Sequence, residues 1–354
     1  MEKAFMKKIG MMSITFMLII ALFIGCSETI SSGAGLEVYR FTITHPDPEA
    51  SATGTFLKNW ASAVMEASGG AIEIEIFHGG VLGGIRETIN LVTNRVADMG
   101  QGGQSTMAGM FPITGVVALP MSGIKNAEHG NKVIWALYEM NQQLRDEYAN
   151  FKVILLHTNC TAPISFSRRK VTSLNEMKGL NIRANPGPPT MFVEALNASP
   201  ITITMAELFQ AIDNNTVDGV IVDWHGLYSF KLHEAVRYVL DLPTYSNTFY
   251  FIMNKDSYNS LPDNLKAVID EYSGWKAMEI ASAIWDGYEV MCRDVISKNG
   301  RAEIITLSQE ERAVFQAAAD TVAEKWIAEM ESLGLDGRTI YNQTVELVKK
   351  YAND

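Results

Sequence analysis

Residues 38–77, VYRFTITHPDPEASATGTFLKNWASAVMEASGGAIEIEIF, contain the pattern on which the rest of the chain is built. Residues 38–44 are rich in β-branched and aromatic side chains, which favours a strand. Residues 54–67 place apolar side chains at helical spacing, and residues 71–77 alternate with the period of two that is typical of a strand. Because parallel strands need a crossover helix between them, this strand–helix–strand unit predicts an α/β layer.

The same alternation continues towards the C-terminus and predicts a second α/β unit. A helix is expected at residues 126–148 and a buried strand at residues 152–157, and the chain would cross into a second lobe near residues 161–167. Helical periodicity is almost unbroken from residue 263 to 297, and about 35 residues at ~1.5 Å each would span ~50 Å, enough to brace both lobes. We therefore predict an α/β protein of two lobes, each a mostly parallel sheet flanked by helices.

The predicted lobes are discontinuous in sequence. Lobe I comprises residues 37–160 plus 249–290, and lobe II comprises residues 161–248 plus 291–354.

The N-terminus has the layout of an export signal. Lys3, Lys7 and Lys8 precede residues 9–25, which carry no charge and are fewer than the ~20 apolar residues of a usual membrane span. Residues 23–26, FIGC, resemble a bacterial lipobox, although Phe23 stands where Leu is usual. We predict a signal peptide at 1–25 and a lipidated Cys26 with a tether to residue 36; a plain secretory signal or an uncleaved anchor is the alternative.

Composition excludes several classes of protein. Charged residues make up 19% and hydrophobic residues 47% of the chain, which disfavours a disordered protein. The 29 basic and 40 acidic residues give a net charge of -11, which disfavours a nucleic-acid binder. Removal of residues 1–25 takes away three Lys and one Glu, which leaves 26 basic and 39 acidic residues and a net charge of -13.

The sequence offers no catalytic or metal-binding pattern. The six His show no HxxxH or HxH spacing, and neither CxxC nor GxSxG occurs. The Gly-rich stretch at 79–84 lacks the Lys-Ser/Thr of a phosphate loop and is predicted to be a structural turn. Cys160 and Cys292 are expected to be buried small side chains, with a disulfide between them as the alternative. This favours a ligand-binding protein over an enzyme.

Several short motifs occur in an order that resembles the solute-binding proteins of TRAP transporters, the DctP family. The motifs are EMKGL (176–180), IR (182–183), ALNASP (195–200), ELFQA (207–211), VDG (217–219) and FKLHE (230–234), preceded by GGVLGG (79–84), ADM (97–99) and FP (111–112). The resemblance covers the chain from about residue 38. It implies a periplasmic-binding-protein-like fold whose lobes close on an organic anion and present it to a membrane permease, without catalysis.

In that family the Arg at the position of Arg183 binds the ligand carboxylate. A planar guanidinium offers two parallel donors to two carboxylate oxygens, which a Lys ammonium cannot reproduce. Val222 replaces the Asn of sugar-acid binders, and their further Arg falls near Pro163, so a sialic-acid-like ligand is disfavoured. Trp224 resembles the Trp of members with compact pockets, which implies a keto, hydroxy or aromatic monocarboxylate; a core Trp at the domain junction is the alternative.

Further cleft positions follow from the same resemblance. Phe249 and Tyr250 are adjacent on a strand, so only one of them can face the ligand. Arg168 and Arg169 are both expected at the surface; the alternative is that one of them, and at most one, serves as a second cation for a dicarboxylate. The other predicted cleft residues are His45, Gln104, Ser105, Phe166, Asn185 and Asp223.

The resemblance also implies the protein's partners. These are a small organic acid, the TRAP membrane permease subunits and, through Cys26, a membrane, but no nucleic acid. The protein would be an exported periplasmic or cell-surface lipoprotein with no cofactor, although an Na⁺ or Ca²⁺ ion bridging to the ligand stays open. The alternative is an exported ligand sensor of the same fold that signals to a receptor kinase.

Overall fold

The computed structural model describes residues 37–107 and 109–353. The predicted signal peptide at 1–25, Cys26 and the tether to residue 36 lie outside these residues. Residues 38–354 form one compact unit, which contains every element described below. In the described part of the chain, no helix combines the length and the apolar character that a membrane crossing requires.

The strands of the described residues form two sheets. The strands are β1 (Tyr39–Thr44), β2 (Ile72–Phe77), β3 (Met99–Gly103), β4 (Phe151–Thr158), β5 (Ile164–Phe166), β6 (Asn181–Arg183), β7 (Ser199–Ile201), β8 (Gly219–Ile221), β9 (Tyr238–Leu240), β10 (Thr248–Asn254) and β11 (Glu303–Ile305). The first sheet has the order β2-β1-β3-β10-β4 and the second β11-β9-β5-β8-β6-β7. Only β10 in the first and β5 in the second run antiparallel to their neighbours, so the predicted mostly parallel sheets are confirmed.

Helices flank both sheets. They are α1 (Ala52–Ala67), α2 (Thr88–Thr93), α3 (Ala127–Met140), α4 (Gln142–Glu147), α5 (Pro188–Ala195), α6 (Met205–Asp213), α7 (Trp224–Ser229), α8 (Lys255–Asn259), α9 (Asp263–Glu271), α10 (Trp275–Lys298), α11 (Gln309–Ser332) and α12 (Gly337–Lys350). Short 3₁₀ turns lie at Gln104–Thr106, Thr114–Ala118, Leu174–Met177, Leu232–Glu234 and Tyr351–Asn353.

The strand–helix–strand unit at residues 38–77 forms as predicted. β1 and β2 pair in parallel from Tyr39 opposite Ile72 to Thr44 opposite Phe77. α1 crosses between them, and the side chain of Ser51 caps it by accepting a hydrogen bond from the Gly54 amide at 3.1 Å. The helix buries an apolar face that includes Trp60. Such side chains each contribute ~1.5–3 kcal/mol on burial, so packing on the sheet holds this helix in place.

Two predicted long helices are broken in the structure. The helix expected at residues 126–148 ends at Met140, because Asn141 is extended and its side chain accepts from the Leu144 amide to start α4. The helix expected at 263–297 is divided into α9 and α10 at residues 272–274.

Gly274 accounts for the second break. Its φ of 60° lies in the left-handed region, and its amide donates to the Ile154 carbonyl at 2.8 Å. A Cβ at this position would lie 2.5 Å from Cζ2 of Trp135, so no other residue fits here without a shift of the ring.

α10 braces the two sheets without α9. It packs against α1, α3 and β4 around the first sheet and against α7 beside the second. The predicted bracing helix is therefore confirmed, in the 24 residues from Trp275 to Lys298.

Two chain segments cross between the sheets, at residues 159–163 and 241–247. They are hydrogen-bonded to each other, since Ala162 donates to the Tyr245 carbonyl at 2.9 Å and Thr244 donates to the Ala162 carbonyl at 3.0 Å. The residue limits of the lobes stay a proposal, and α12, which we grouped with lobe II, packs against α3 as well as α11.

Candidate functional site

Strand ends of both sheets enclose a cavity of about 430 Å³. Its walls are residues 46–47 after β1, 79–80 and 84–87 after β2, 103 and 105–106 around the end of β3, 183 and 185–186 around the end of β6, 202–206 after β7, and 222–223 and 225–226 after β8. Residues 159 and 247–249 of the crossing region and Trp285 of α10 complete the lining, with Thr53 and Phe230. Open α/β sheets bind ligands at the carboxyl ends of their parallel strands, so this is the expected place for a site.

A larger depression of about 730 Å³ lies elsewhere on the protein, between α3, β4 and the α8–α10 region. It contains none of the residues that we predicted for ligand binding.

Arg183 is the last residue of β6 and lines the cavity with only 5% of its surface exposed. Its Nε donates to the Ile203 carbonyl at 3.0 Å, which holds the guanidinium in place. Within the described residues, the other guanidinium nitrogens have no hydrogen-bond partner and no carboxylate pairs with Arg183. Burial lowers the pKa of Arg183, while Tyr245 and Asp223 nearby act to raise it. A buried cation without a counter-ion is costly, so this position fits an anion.

Asn185 reaches the cavity two residues after Arg183. Its side-chain amide donates to the Asn247 side chain. Asn247 in turn donates its backbone amide to the Asn159 side chain at 2.7 Å. These three residues join the end of β6 to both crossing segments, so they place Arg183 relative to the connection between the sheets.

Asp223 lines the cavity at the N-terminus of α7 and is 5% exposed. Burial raises the pKa of Asp223 to about 7, and the neighbouring Asp47 acts in the same direction. Behind it, Glu289 accepts hydrogen bonds from the amides of Trp224 at 3.4 Å and His225 at 3.1 Å. Burial, followed by the charge of Asp223, raises the pKa of Glu289 well above its usual value.

Asp47 is a cavity residue that the sequence reasoning missed. It follows β1, and its carboxylate accepts from the Thr53 hydroxyl at 2.6 Å. Burial raises the pKa of Asp47. Its place three residues after the end of a parallel strand was the signal that could have identified it, because such strand ends meet at one edge of the sheet.

Five of the ten predicted cleft residues line the cavity, namely Ser105, Arg183, Asn185, Asp223 and Phe249. Phe249 stacks on the ring of His157, with ring centroids 5.1 Å apart and planes at 16°. Tyr250 is fully buried in the core of the first sheet, as the alternation of a strand requires. Together with Trp285 and Val222, Phe249 gives the cavity an apolar wall.

Trp224 is not part of the cavity lining. It is 3% exposed in the smaller hydrophobic core, which is formed around α6, α7 and the end of α10, and the guanidinium of Arg293 lies 5.3 Å from its ring centroid. The backbone turns sharply from β8 into α7, so that Asp223 faces the cavity and Trp224 faces the core.

The remaining predicted residues also lie outside the lining. His45 Nε2 is 2.7 Å from His78 Nδ1, and burial lowers the pKa of His45 to about 3. Gln104 donates to the Tyr148 hydroxyl at 2.5 Å. Phe166 is fully buried in β5. Arg168 and Arg169 are exposed away from the lining, and a second cation reaches the cavity wall from Arg86 instead.

The two cysteines of the described chain are free and buried. The Cys160 thiol donates to Asp286 at 3.1 Å, and Cys292 packs in the smaller core. In the part of the chain that the structure describes, no group of three or more His, Cys, Asp or Glu side chains is arranged to hold a metal ion.

The match to known proteins is extensive. The sequence model of bacterial extracellular solute-binding protein family 7, DctP, matches residues 43–329. A crystal structure of a marine metagenome TRAP solute-binding protein specific for aromatic acids, in complex with metahydroxyphenylacetate, superposes with a TM-score of 0.84 at 26% identity over 88% of this chain and 99% of that chain. A TRAP solute-binding protein from Rhodoferax ferrireducens with copurified benzoate gives a TM-score of 0.84 at 24% identity over 89% and 99%. The 2,3-diketo-L-gulonate-binding periplasmic protein of Escherichia coli is 21% identical over 73% of this chain and 77% of its own length.

Proposed function

The chain belongs to bacterial extracellular solute-binding protein family 7, the DctP family of TRAP solute-binding proteins, and we propose that it captures its organic acid by the carboxylate through Arg183. The observation that supports this role is the position of Arg183 in the cavity wall. Its Nε is bonded to the Ile203 carbonyl, but its two terminal guanidinium nitrogens have no hydrogen-bond partner among the described residues. A carboxylate would accept two parallel charge-assisted hydrogen bonds there and would neutralise the buried charge.

The proposed ligand is a keto, hydroxy or aromatic monocarboxylate. A cavity of about 430 Å³ falls within the range of small-molecule sites, and its wall of Phe249, Trp285 and Val222 suits a compact apolar body. The aromatic-acid binder of similar fold supports the aromatic member of this set. Arg86 lies at the wall but is exposed, so it is not the primary anchor.

The proposed mechanism is binding without chemistry. The two α/β layers are joined by the paired crossing segments and by α10, which can act as the hinge of a closing motion. Closure on the acid would expel water and present the loaded protein to the TRAP permease subunits. The lipid attachment at Cys26 completes the proposal, because it would keep the carrier near the membrane.

The decisive experiment is ligand binding to the mature protein and to an Arg183 variant. A thermal-shift screen of keto, hydroxy, aromatic, C4-dicarboxylic and sugar acids identifies a ligand, because a ligand well above its dissociation constant raises the midpoint. Calorimetry of Arg183→Ala and Arg183→Lys should then show a loss of more than about 100-fold in affinity, from hydrogen bonds of ~1.5–3 kcal/mol each to a charged group.

The exposed Arg168→Ala variant provides the matched control and should bind as the wild type does. Circular dichroism should show that all three variants are folded. Unchanged affinity in Arg183→Ala would contradict the anchor role, and a response to sugar acids alone would contradict the proposed ligand class.

A further inference from the structure

Two carboxyl groups face the same cavity as Arg183. Asp47 follows β1 of the first sheet, and Asp223 follows β8 of the second, so they approach the cavity from opposite sides. Within the described residues, neither carboxylate has a Lys or Arg partner. The nearest base is His225, whose Nδ1 lies 3.9 Å from Asp223. Burial lowers the pKa of His225 to about 4, so it is neutral at pH 7.

These carboxyl groups have unused acceptor positions. A carboxylate has about four lone-pair sites; Asp47 receives one side-chain hydrogen bond, from Thr53 at 2.6 Å, and Asp223 receives hydrogen bonds from the Asn159 side chain and the Gly226 amide. The pKa of both groups is raised, chiefly by burial. Asp47 is half-buried and Asp223 is buried, and a lone-pair site left without a donor there costs free energy, so a group that donates to this pair is favoured in the cavity.

Arg183 supplies an independent sign that a ligand fills this space, because the residue is only 5% exposed and its guanidinium has no partner beyond the Ile203 carbonyl among the described residues. A molecule that satisfies both Arg183 and the two acids must accept from Arg183 and donate to the acids. We propose that Asp47 and Asp223 form an acceptor pair that selects carboxylic acids carrying a hydrogen-bond donor, hydroxyl or ammonium. This selection rests on the proposed function, in which Arg183 holds the carboxylate.

The pair would act by rejection as well as attraction. At pH 8 the Asp223 carboxylate is ionised and can only accept, so a keto acid places a carbonyl acceptor against the pair, and an unsubstituted acid leaves the pair without a donor. A site built to hydrogen-bond a hydroxyl or amino group discriminates strongly against analogues that lack it, because its own polar groups are then left unpaired. Within the proposed ligand class, Asp47 therefore separates hydroxy acids from keto and unsubstituted acids.

Two series of matched acids test this selection by calorimetry on the mature protein at pH 8, above the pKa of about 7 at Asp223. One series is propionate, lactate, alanine and pyruvate, and the other is benzoate, 3-hydroxybenzoate and 3-(aminomethyl)benzoate. In the series that binds, the donor-bearing acid should bind at least about tenfold more tightly than the unsubstituted acid, and pyruvate should bind no better than propionate. Whichever of the hydroxy-bearing and amino-bearing acids binds more tightly identifies the hydrogen-bond donor that the site selects.

Variants assign the selection to its residues. Asp47→Asn presents an amide donor beside one acceptor, and Asp47→Ala removes the group, so both should reduce the tenfold preference to about threefold or less. The exposed Asp213→Asn serves as the matched control and should keep the preference. Arg183→Lys should weaken every acid of a series by a similar factor and leave the preference in place, which separates the carboxylate anchor from the selection.

Each alternative outcome has a definite meaning. Equal binding of donor-bearing and unsubstituted acids by the wild type overturns the acceptor pair and leaves the Arg183 anchor standing. A preference that survives both Asp47 variants overturns the role of Asp47. Failure of every acid in both series to bind overturns the proposed ligand class and this selection with it.

Discussion

Replacing Asp223 by Asn is expected to stabilise the protein, and by more at pH 8 than at pH 5. Asp223 is buried at the cavity wall, and burial raises its pKa from 3.8 to about 7. The ionised carboxylate is therefore disfavoured in the folded protein relative to the unfolded chain. Asn keeps the shape and is as good an N-cap residue as Asp, but it cannot ionise.

The size of the effect follows from the difference between the two pKa values. The destabilisation is absent below pH 3.8, increases between pH 4 and 7, and is complete above about pH 7, because the folded state holds its proton longer than the unfolded state. About three pH units at ~1.4 kcal/mol each give roughly 4 kcal/mol as an upper value. We expect Asp223→Asn to raise the free energy of unfolding by about 2–4 kcal/mol at pH 8 and by roughly 1–1.5 kcal/mol at pH 5.

Urea unfolding without ligand, followed by Trp fluorescence and circular dichroism at pH 5, 6.5 and 8, measures this gain. Asp213→Asn makes the same chemical change on an exposed part of α6 and should stay within about 0.5 kcal/mol of the wild type at each pH. A variant that is less stable than the wild type at pH 8, or a gain that does not grow with pH, would show that Asp223 is not held in a desolvated, proton-retaining environment.

Three further predictions follow from positions that the structure assigns. Trp224→Phe should lower the free energy of unfolding by roughly 1–3 kcal/mol, since Trp224 packs in a core, and should leave ligand affinity within about twofold of the wild type. A large loss of affinity in calorimetry would show that Trp224 contacts the ligand. Gly274→Ala should lower the free energy of unfolding, measured in urea, by at least about 1–3 kcal/mol, because Ala is strained at a φ of 60° and its Cβ would collide with the Trp135 ring. An unchanged unfolding midpoint would contradict this close approach. Phe249→Ala should weaken ligand binding in calorimetry several-fold whereas Tyr250→Phe should not, and the reverse result would mean that the strand faces the other way.

Local patterns in the sequence predicted most of the secondary structure. The alternation at 71–77 and the helical spacing at 54–67 correspond to β2 and α1, because burial on one face imposes those periods on the side chains. The prediction of one unbroken helix at 263–297 was wrong, since the chain breaks at Gly274. This break depends on a contact with Trp135, which lies far away in sequence. Periodicity carries no information about such a contact.

Only part of the candidate site was predicted, because some of its residues are marked by local motifs and others are placed by the tertiary fold. Arg183 ends strand β6 and Asp223 follows strand β8, and the family motifs around them indicated their place in the cavity. Trp224 was placed in the cleft by resemblance alone, and it turned out to face a core. A single residue step at a strand–helix turn reverses the direction of a side chain, and the sequence does not contain that geometry.

By itself, the sequence determined the two-lobe α/β class, the family and the residue proposed to hold the carboxylate, because each of these is encoded in local periodicity or in short ordered motifs. Only the tertiary structure decided that Asp47 and Asp223 face one cavity, since they lie 176 positions apart on strands of different sheets. The physical reason is that a cavity wall is assembled where distant strand ends meet. The cost of burying unpaired charge there depends on which groups the fold brings together.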